Sequence, residues 1–308
     1  MTDPVSRRVA FIINAKAGQP GEQSWLDASR PAVDAIANGG PIVEAKSGEE
    51  IARAVQRALD AQCSAIVAGG GDGTQNAVAS RLVGSSILLG VLPLGTLNHF
   101  AKDLGIPENP DDALAAIAAG NHAAIDVGEV NGHYFLNNSS LGIYPDIVRD
   151  RERQQHRLGR GKWVAFFWAA WSALRRFPFL TVRLSVDGKA AVHQTPFVFV
   201  GNNAYQMQGF QIGTRAGLQD GVLSIYVAHR PTRWGLAFLG LRALCGRLRQ
   251  TREFRAFLAA ELHVETRHRR LRVATDGEVR ELESPLHYRI HAGALRVIVP
   301  RPDNGASA

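Results

Sequence analysis

The chain has 308 residues, 45% of them hydrophobic and 20% charged, which excludes a disordered protein and suits about two globular domains. Residues 1–125 carry 9 Lys and Arg against 13 Asp and Glu, whereas residues 126–308 carry 26 against 15. A part of net −4 is therefore joined to a part of net +11, and the basic part should meet something anionic.

In chain order, Val9–Asn14 is a short buried strand, followed by a helical stretch from about Glu22 to Ala37 and a strand at Ile42–Ala45. Gly48–Ala61 is a helix with Ile51, Ala54, Val55, Ala58 and Leu59 on one face. Ser64–Ala68 is a strand ending in a glycine run, and Thr74–Val83 is helical. Ile87–Leu92 is a strand stopped by Pro93, and Asn98–Leu104 and Asp111–Ala119 are helical. Strands alternating with helices predict βαβ units and a mostly parallel sheet over residues 1–124.

From Ala124 onward the texture changes. Val127–Val130, Tyr134–Asn138, Leu180–Val186, Thr195–Val200, Leu223–Val227, Glu261–Thr266, Leu271–Ala274 and Leu286–Ile290 are short strands. Asn131-Gly132, Asp187-Gly188 and Asp220-Gly221 are turn dipeptides. Residues 125–294 thus form an antiparallel β-sandwich or partial barrel, interrupted by helical stretches near 160–177 and 232–250. A final strand at 295–300 returns to either domain.

Two cysteines, Cys63 and Cys245, allow neither a disulfide framework nor a Cys-based zinc cluster and fit a reducing cytoplasm. The N-terminal apolar run, Val9–Ile13, is too short for a secretory leader. The longest near-apolar run, Trp163–Leu174, has twelve residues, short of the ~20 that cross a bilayer. A soluble or peripheral protein is expected.

The most informative segment is Ala65-Ile66-Val67-Ala68-Gly69-Gly70-Gly71-Asp72-Gly73-Thr74. It is a strand, a glycine-rich turn and a helix start, with Thr74 as the candidate N-cap. Glycines let a ligand approach the main-chain amides, and a helix N-terminus favours phosphate. A carboxylate at Asp72 would repel bare phosphate but makes sense with Mg²⁺ between them. Neither the GxxxxGK[ST] loop nor the GxGxxG dinucleotide pattern is present.

GGGDGT at 69–74 resembles the nucleotide loop of the diacylglycerol kinase catalytic-domain family, which includes bacterial lipid kinases and sphingosine kinases. Asn14-Ala15-Lys16-Ala17-Gly18 resembles the family's first-strand turn, with Ala15 where Pro is usual. Pro93-Leu94-Gly95-Thr96-Leu97-Asn98-His99-Phe100-Ala101 resembles its P-L-G-T-x-N-D-F-A segment, and Thr275-Asp276-Gly277-Glu278 its C-terminal D-G-E. Asp126, Phe135-Leu136-Asn137 and Gly142 fall where the family enters its second domain.

The resemblance implies an NAD kinase-like α/β domain, a C-terminal β-sandwich, ATP bound between them and a lipid hydroxyl as phosphoryl acceptor. It implies that Asn14, Gly18, Gly69, Gly70, Gly71, Gly73 and Thr74 hold phosphates. Gly95, Thr96 and Asn98 would line the nucleotide pocket. Asp72 would bind Mg²⁺ directly or through water, and Asp276 would act as general base with Glu278 assisting. Asp220 is either a structural metal ligand or a turn residue. His99 departs from the family's Asp and would be a poor Mg²⁺ ligand. His156, His193, His263 and His291 show no ligand spacing and are expected as surface or core residues.

Residues 149–183 hold nine basic residues against two acidic, with Trp163, Phe166, Phe167, Trp168 and Trp171 among them. Residues 230–272 hold eleven against three, with Trp234, Phe238, Leu241, Cys245 and Leu248 at helical spacing. Both segments suit an anionic membrane interface, and equally two helices packed on the sandwich with solvated arginines. The expectation is an ATP- and Mg²⁺-dependent lipid kinase, cytoplasmic and peripherally membrane-associated. The alternatives are an NAD kinase-like enzyme with a soluble substrate or a non-catalytic nucleotide or lipid sensor. No nucleic-acid recognition motif is present.

Overall fold

The computed structural model describes residues 8–15, 22–142, 180–186, 189–208, 211–215, 217–228 and 254–301. Gly18, the expected helices at 160–177 and 232–250, the Asp187-Gly188 turn and most of the two aromatic basic segments lie outside the described residues. The chain divides into two compact units: Met1–Val127 with Gly293–Ala308, and Gly128–Ala292.

The first unit runs β1 (Val9–Asn14), α1 (Glu22–Ala37), β2 (Ile42–Ala45), α2 (Gly48–Asp60), β3 (Ala65–Gly70), α3 (Asp72–Ala79), β4 (Leu88–Pro93), α4 (His99–Asp103) and α5 (Pro110–Ala119). The strands lie in the order β2-β1-β3-β4, every neighbouring pair parallel. β3 and β4 are buried along their whole length. That burial explains their unbroken apolar sequences, since a parallel sheet is covered on both faces. In α2 the apolar stripe Ile51, Ala54, Val55 and Ala58 is buried. Its start is fixed by Ser47, whose hydroxyl accepts the Glu50 amide at 3.3 Å, while the Glu50 carboxylate accepts the Lys46 amide at 2.7 Å. A side-chain cap of this kind stabilises a helix by ~1 kcal/mol.

After β5 (His122–Val130), which crosses the unit boundary, come β6 (His133–Phe135), β7 (Asn138–Gly142), β8 (Leu180–Val186), β9 (Lys189–Thr195) and β10 (Phe197–Asn202). They are followed by β11 (Tyr205–Gln208), β12 (Gln211–Arg215), β13 (Leu223–Ala228), β14 (Phe254–Ala259), β15 (Glu261–Thr266), β16 (Arg270–Thr275), β17 (Glu278–Glu283) and β18 (Leu286–Ile298). One antiparallel sheet of the second unit has the order β14-β13-β10-β7-β16-β17, and β18-β15-β8-β9 forms the other. Leu141, Val198, Val200, Ile225 and Val273 of the first sheet share a core with Val182, Leu184, Leu262, Val264 and Tyr288 of the second. This is a sandwich. Alternation along β15 shows why: Leu262 and Val264 are buried while Glu261, His263 and Glu265 face outward.

Three local readings change. Thr74 is not the N-cap of α3: Gly71 is, and Thr74 is a buried residue of the first turn. An extended Gly71 followed at once by Asp72 starts the helix two residues early. The strands expected at Leu286–Ile290 and Leu295–Val299 are one strand, β18, continuous through Gly293. Its first part pairs antiparallel with β15 in the second unit, and Val297 pairs parallel with Leu89 of β4 in the first. Finally β7, β9, β11, β12, β14 and β17 were not foreseen as strands, and the expected Tyr134–Asn138 strand divides between β6 and β7.

Candidate active site

In the first unit, Asn14, the Gly69–Thr74 turn and the Pro93–Asn98 turn all lie at the C-terminal ends of the adjacent parallel strands β1, β3 and β4. Open parallel sheets bind ligands at this end. Asn14 Nδ2 donates to Thr74 Oγ1 at 3.0 Å, so the end of β1 orients the first turn of α3. Gly71 has no side chain to cap that turn. The amides of Asp72 and Gly73 are therefore helix-start donors without an intrahelical acceptor, a donor set that fits a phosphate group.

The glycines also serve the loop itself. A Cβ on Gly95 would stand 2.4 Å from the Gly71 Cα and 2.7 Å from Asn98 Oδ1. Only glycine lets the two turns approach this closely. Asn98 is a left-handed, buried residue whose Oδ1 accepts the Gly95 amide at 3.0 Å. Its Nδ2 donates to the carbonyls of Gly95 at 2.7 Å and Pro93 at 3.3 Å. Asn98 thus holds the turn from inside, while Thr96 is exposed at its tip.

Asp72 has a role the sequence did not suggest. Its Oδ1 accepts the Phe100 amide at 3.0 Å and its Oδ2 the His99 amide at 3.2 Å. It caps α4, whose own N-cap Asn98 makes no side-chain cap bond. Each oxygen keeps a further acceptor position, which fits a divalent cation with oxygen ligands.

In the second unit, Asp276 and Gly277 form a two-residue turn between β16 and β17, with φ of 47° and 86°. Positive φ at both positions is what the tightest hairpin turn requires. Asp276 is more than a turn residue, however. Its Oδ2 accepts the Leu136 amide at 2.7 Å, and its Oδ1 those of Asn137 and Asn138 at 2.9 and 3.0 Å. Burial pushes its pKa up to about 6, against the pull of the three amides and of Arg215. A carboxylate poised there can take a hydroxyl proton near neutral pH, and Oδ2 retains one acceptor position for it.

Arg215 was missed in the sequence. It donates to the Leu136 carbonyl at 2.7 Å and to Asn137 Oδ1 at 3.0 Å. Tyr205 Oη donates to the Asn137 carbonyl at 2.9 Å, and Asn202 Nδ2 to the Leu136 carbonyl at 2.8 Å. Together these fix the main chain that holds Asp276. Nothing marks Arg215 among 30 arginines; only its position at the end of β12 does. Glu278 is half exposed and turned to Arg280 at 2.7 Å. Asp220 is exposed and its amide donates to Asn203 Oδ1 at 3.1 Å. Among the described residues Asp220 belongs to no cluster of three or more His, Cys, Asp or Glu side chains. A metal there would rest on carbonyls and water.

Among the described residues no helix is long and apolar enough to cross a membrane. A family model described as "Diacylglycerol kinase catalytic domain" matches residues 8–130. A second, described as "YegS C-terminal NAD kinase beta sandwich-like domain", matches residues 145–299. The chain is 28% identical over 236 residues to a Chromohalobacter salexigens protein named "Probable lipid kinase YegS-like", covering 72% of this chain and 71% of that one. It is 33% identical over 186 residues to an Escherichia coli O1:K1 protein named "Probable lipid kinase YegS", covering 58% of this chain and 60% of that one. A crystal structure of a presumptive diacylglycerol kinase from Bacillus anthracis Sterne superposes with a TM-score of 0.75 at 25% identity, covering 96% of this chain and 98% of that one.

Proposed function

Because the chain belongs to the diacylglycerol kinase catalytic-domain family, we propose that it is a lipid kinase moving the γ-phosphoryl group of ATP to a membrane-lipid hydroxyl. The observation that carries this reading is Asp276: a carboxylate oriented by three amides, with its pKa raised to about 6. Phosphoryl transfer asks little of a protein beyond positioning and charge stabilisation. The amides of Asp72 and Gly73, with the Gly69–Thr74 turn tied by Asn14 and the Pro93–Asn98 turn tied by Asn98, would hold the phosphates. Asp72 would hold Mg²⁺, which when bound neutralises phosphate charge. Asp276 would accept the proton as the acceptor oxygen bonds to phosphorus and the phosphorus–oxygen bond to the departing ADP breaks, and Glu278, held by Arg280, would assist from the same hairpin. The basic aromatic segments at 149–183 and 230–272 would bring the enzyme to an anionic, cytoplasm-facing membrane surface.

The test is a phosphotransfer assay with γ-labelled ATP, Mg²⁺ and a total lipid extract. The expected outcome is one labelled lipid class with the wild type and none with Asp276→Asn. Label on NAD with no labelled lipid would overturn the reading in favour of a soluble substrate.

A further inference from the structure

Outside these clusters, the outer face of the sandwich gathers three side chains whose residues lie far apart in sequence. Glu261 and His263 are two residues apart on β15 and so share one face. His287 of β18 is the register partner of His263. The two imidazoles stack face to face, with centroids 4.1 Å apart and planes inclined by 11°. Glu261 Oε2 lies 3.6 Å from His287 Nε2. That is too long for a hydrogen bond, and His287 Nε2 is buried without a partner. One ligand atom from each of the three side chains lies within 4.8 Å of the other two.

We infer that Glu261, His263 and His287 form a binding site for a transition-metal ion of the zinc class. Three observations lead there. A buried ring nitrogen without a partner is costly, and a cation coordinated by it removes the cost. Two imidazoles and a carboxylate are the donor set of Zn²⁺ and its neighbours, whereas Mg²⁺ and Ca²⁺ take oxygen ligands. The donors are also close to the right spacing. A tetrahedral Zn²⁺ with ligands near 2.0–2.1 Å needs donors ~3.4 Å apart, so side-chain rotations closing the trio by about 1.5 Å at most would suffice. Glu261 and His263 are exposed and have room to rotate.

Three protein ligands leave a fourth position to solvent. The site would clip β15 to β18 from outside, remote in chemistry from phosphate binding. It was invisible in the sequence because His263 and His287 stand 24 positions apart, with β16 and β17 between their strands.

The test uses the full chain without a histidine tag, stripped of metal by a chelator. Co²⁺ titration followed by visible absorption should show one equivalent with the intense bands of a four-coordinate ion, and Zn²⁺ should displace it. Excess Mg²⁺ should not. His263→Asn, His287→Asn and Glu261→Gln should each weaken Zn²⁺ at least about 10-fold, the loss that changes outside the ligand shell alone can cause. Glu261→Gln leaves the imidazole stack in place. Unfolding midpoints matching the wild type in EDTA show that the variants fold. No stoichiometric binding by the wild type, or wild-type affinity in folded variants, would overturn the inference.

Discussion

The carboxylate of Asp72 accepts the amide of Phe100 at 3.0 Å, joining the start of α3 to the start of α4. With the His99 amide at 3.2 Å, Asp72 fixes the turn after β4 at the C-terminal end of the parallel sheet. Removing it should therefore show two separable effects. Asp72→Ala should lose about 1–2 kcal/mol of stability, as lost caps do, and should lose turnover. Asp72→Asn keeps an acceptor for one amide and should retain more of the stability while turnover still falls. Chemical denaturation beside the phosphotransfer assay distinguishes the two.

Asp276 leads to a pH prediction. The ionised carboxylate is needed to accept the proton, so kcat/KM should rise as pH passes through about 6 and level off above it. Stability runs the other way. Between the ordinary 3.8 and about 6 the folded chain keeps a proton that the unfolded chain releases, so this group lowers stability as pH rises through that window and adds no further slope above it. Asp276→Asn should abolish the activity limb and this stability slope together. It should also cost about 1–3 kcal/mol, because an amide nitrogen would face one of the three main-chain donors. Turnover should fall ~10²–10⁴-fold.

Arg215 should act through Asp276. Its guanidinium lowers the Asp276 pKa and holds the 136–137 main chain that donates to it. Arg215→Gln should shift the rising limb of the kcat/KM profile to higher pH. A purely structural role would lower activity without moving the limb.

Gly95→Ala should force apart the two turns that now meet at Gly71 and Asn98. Overpacking of this kind costs typically ~1–3 kcal/mol. Nucleotide affinity should fall with it, measured as the KM for ATP, and lipid KM should change far less.

The basic segments should give a salt-dependent membrane affinity. Flotation should recover the protein with phosphatidylglycerol-rich vesicles and not with neutral ones, and raised salt should release it. Flotation independent of lipid charge would reject the electrostatic part of the reading.

What could be read in advance follows the range of the interactions. The βαβ alternation of the first unit and the mostly antiparallel second unit are periodicity signals, carried by neighbours in sequence. So is the glycine loop, because an amide-lined turn needs its glycines side by side. Asn98, expected to line the nucleotide pocket, makes its side-chain hydrogen bonds within five residues of itself and so shapes the turn from inside. A turn held from within and a turn open to ligand look alike as letters. Arg215 and Asn137 meet across 78 residues, and His263 and His287 across two strands. No local pattern encodes such meetings. Gly71 displaced Thr74 as the cap because the helix begins at an extended glycine, a choice of backbone rather than of side chain.

The path of β18 has a consequence for biosynthesis. Leu295, Val297 and Ile298 are buried in the first unit, beside β4, yet they are among the last residues a ribosome adds to this fold. Until they emerge, β4 has an open edge, and an unpaired edge invites pairing with other chains. The first unit therefore cannot finish folding before β18 is made. A fragment stopped at Val127 should be aggregation-prone, whereas one with 293–301 supplied in trans should recover. Vectorial synthesis, which lets most N-terminal domains mature first, here leaves the first-made unit waiting for the last strand.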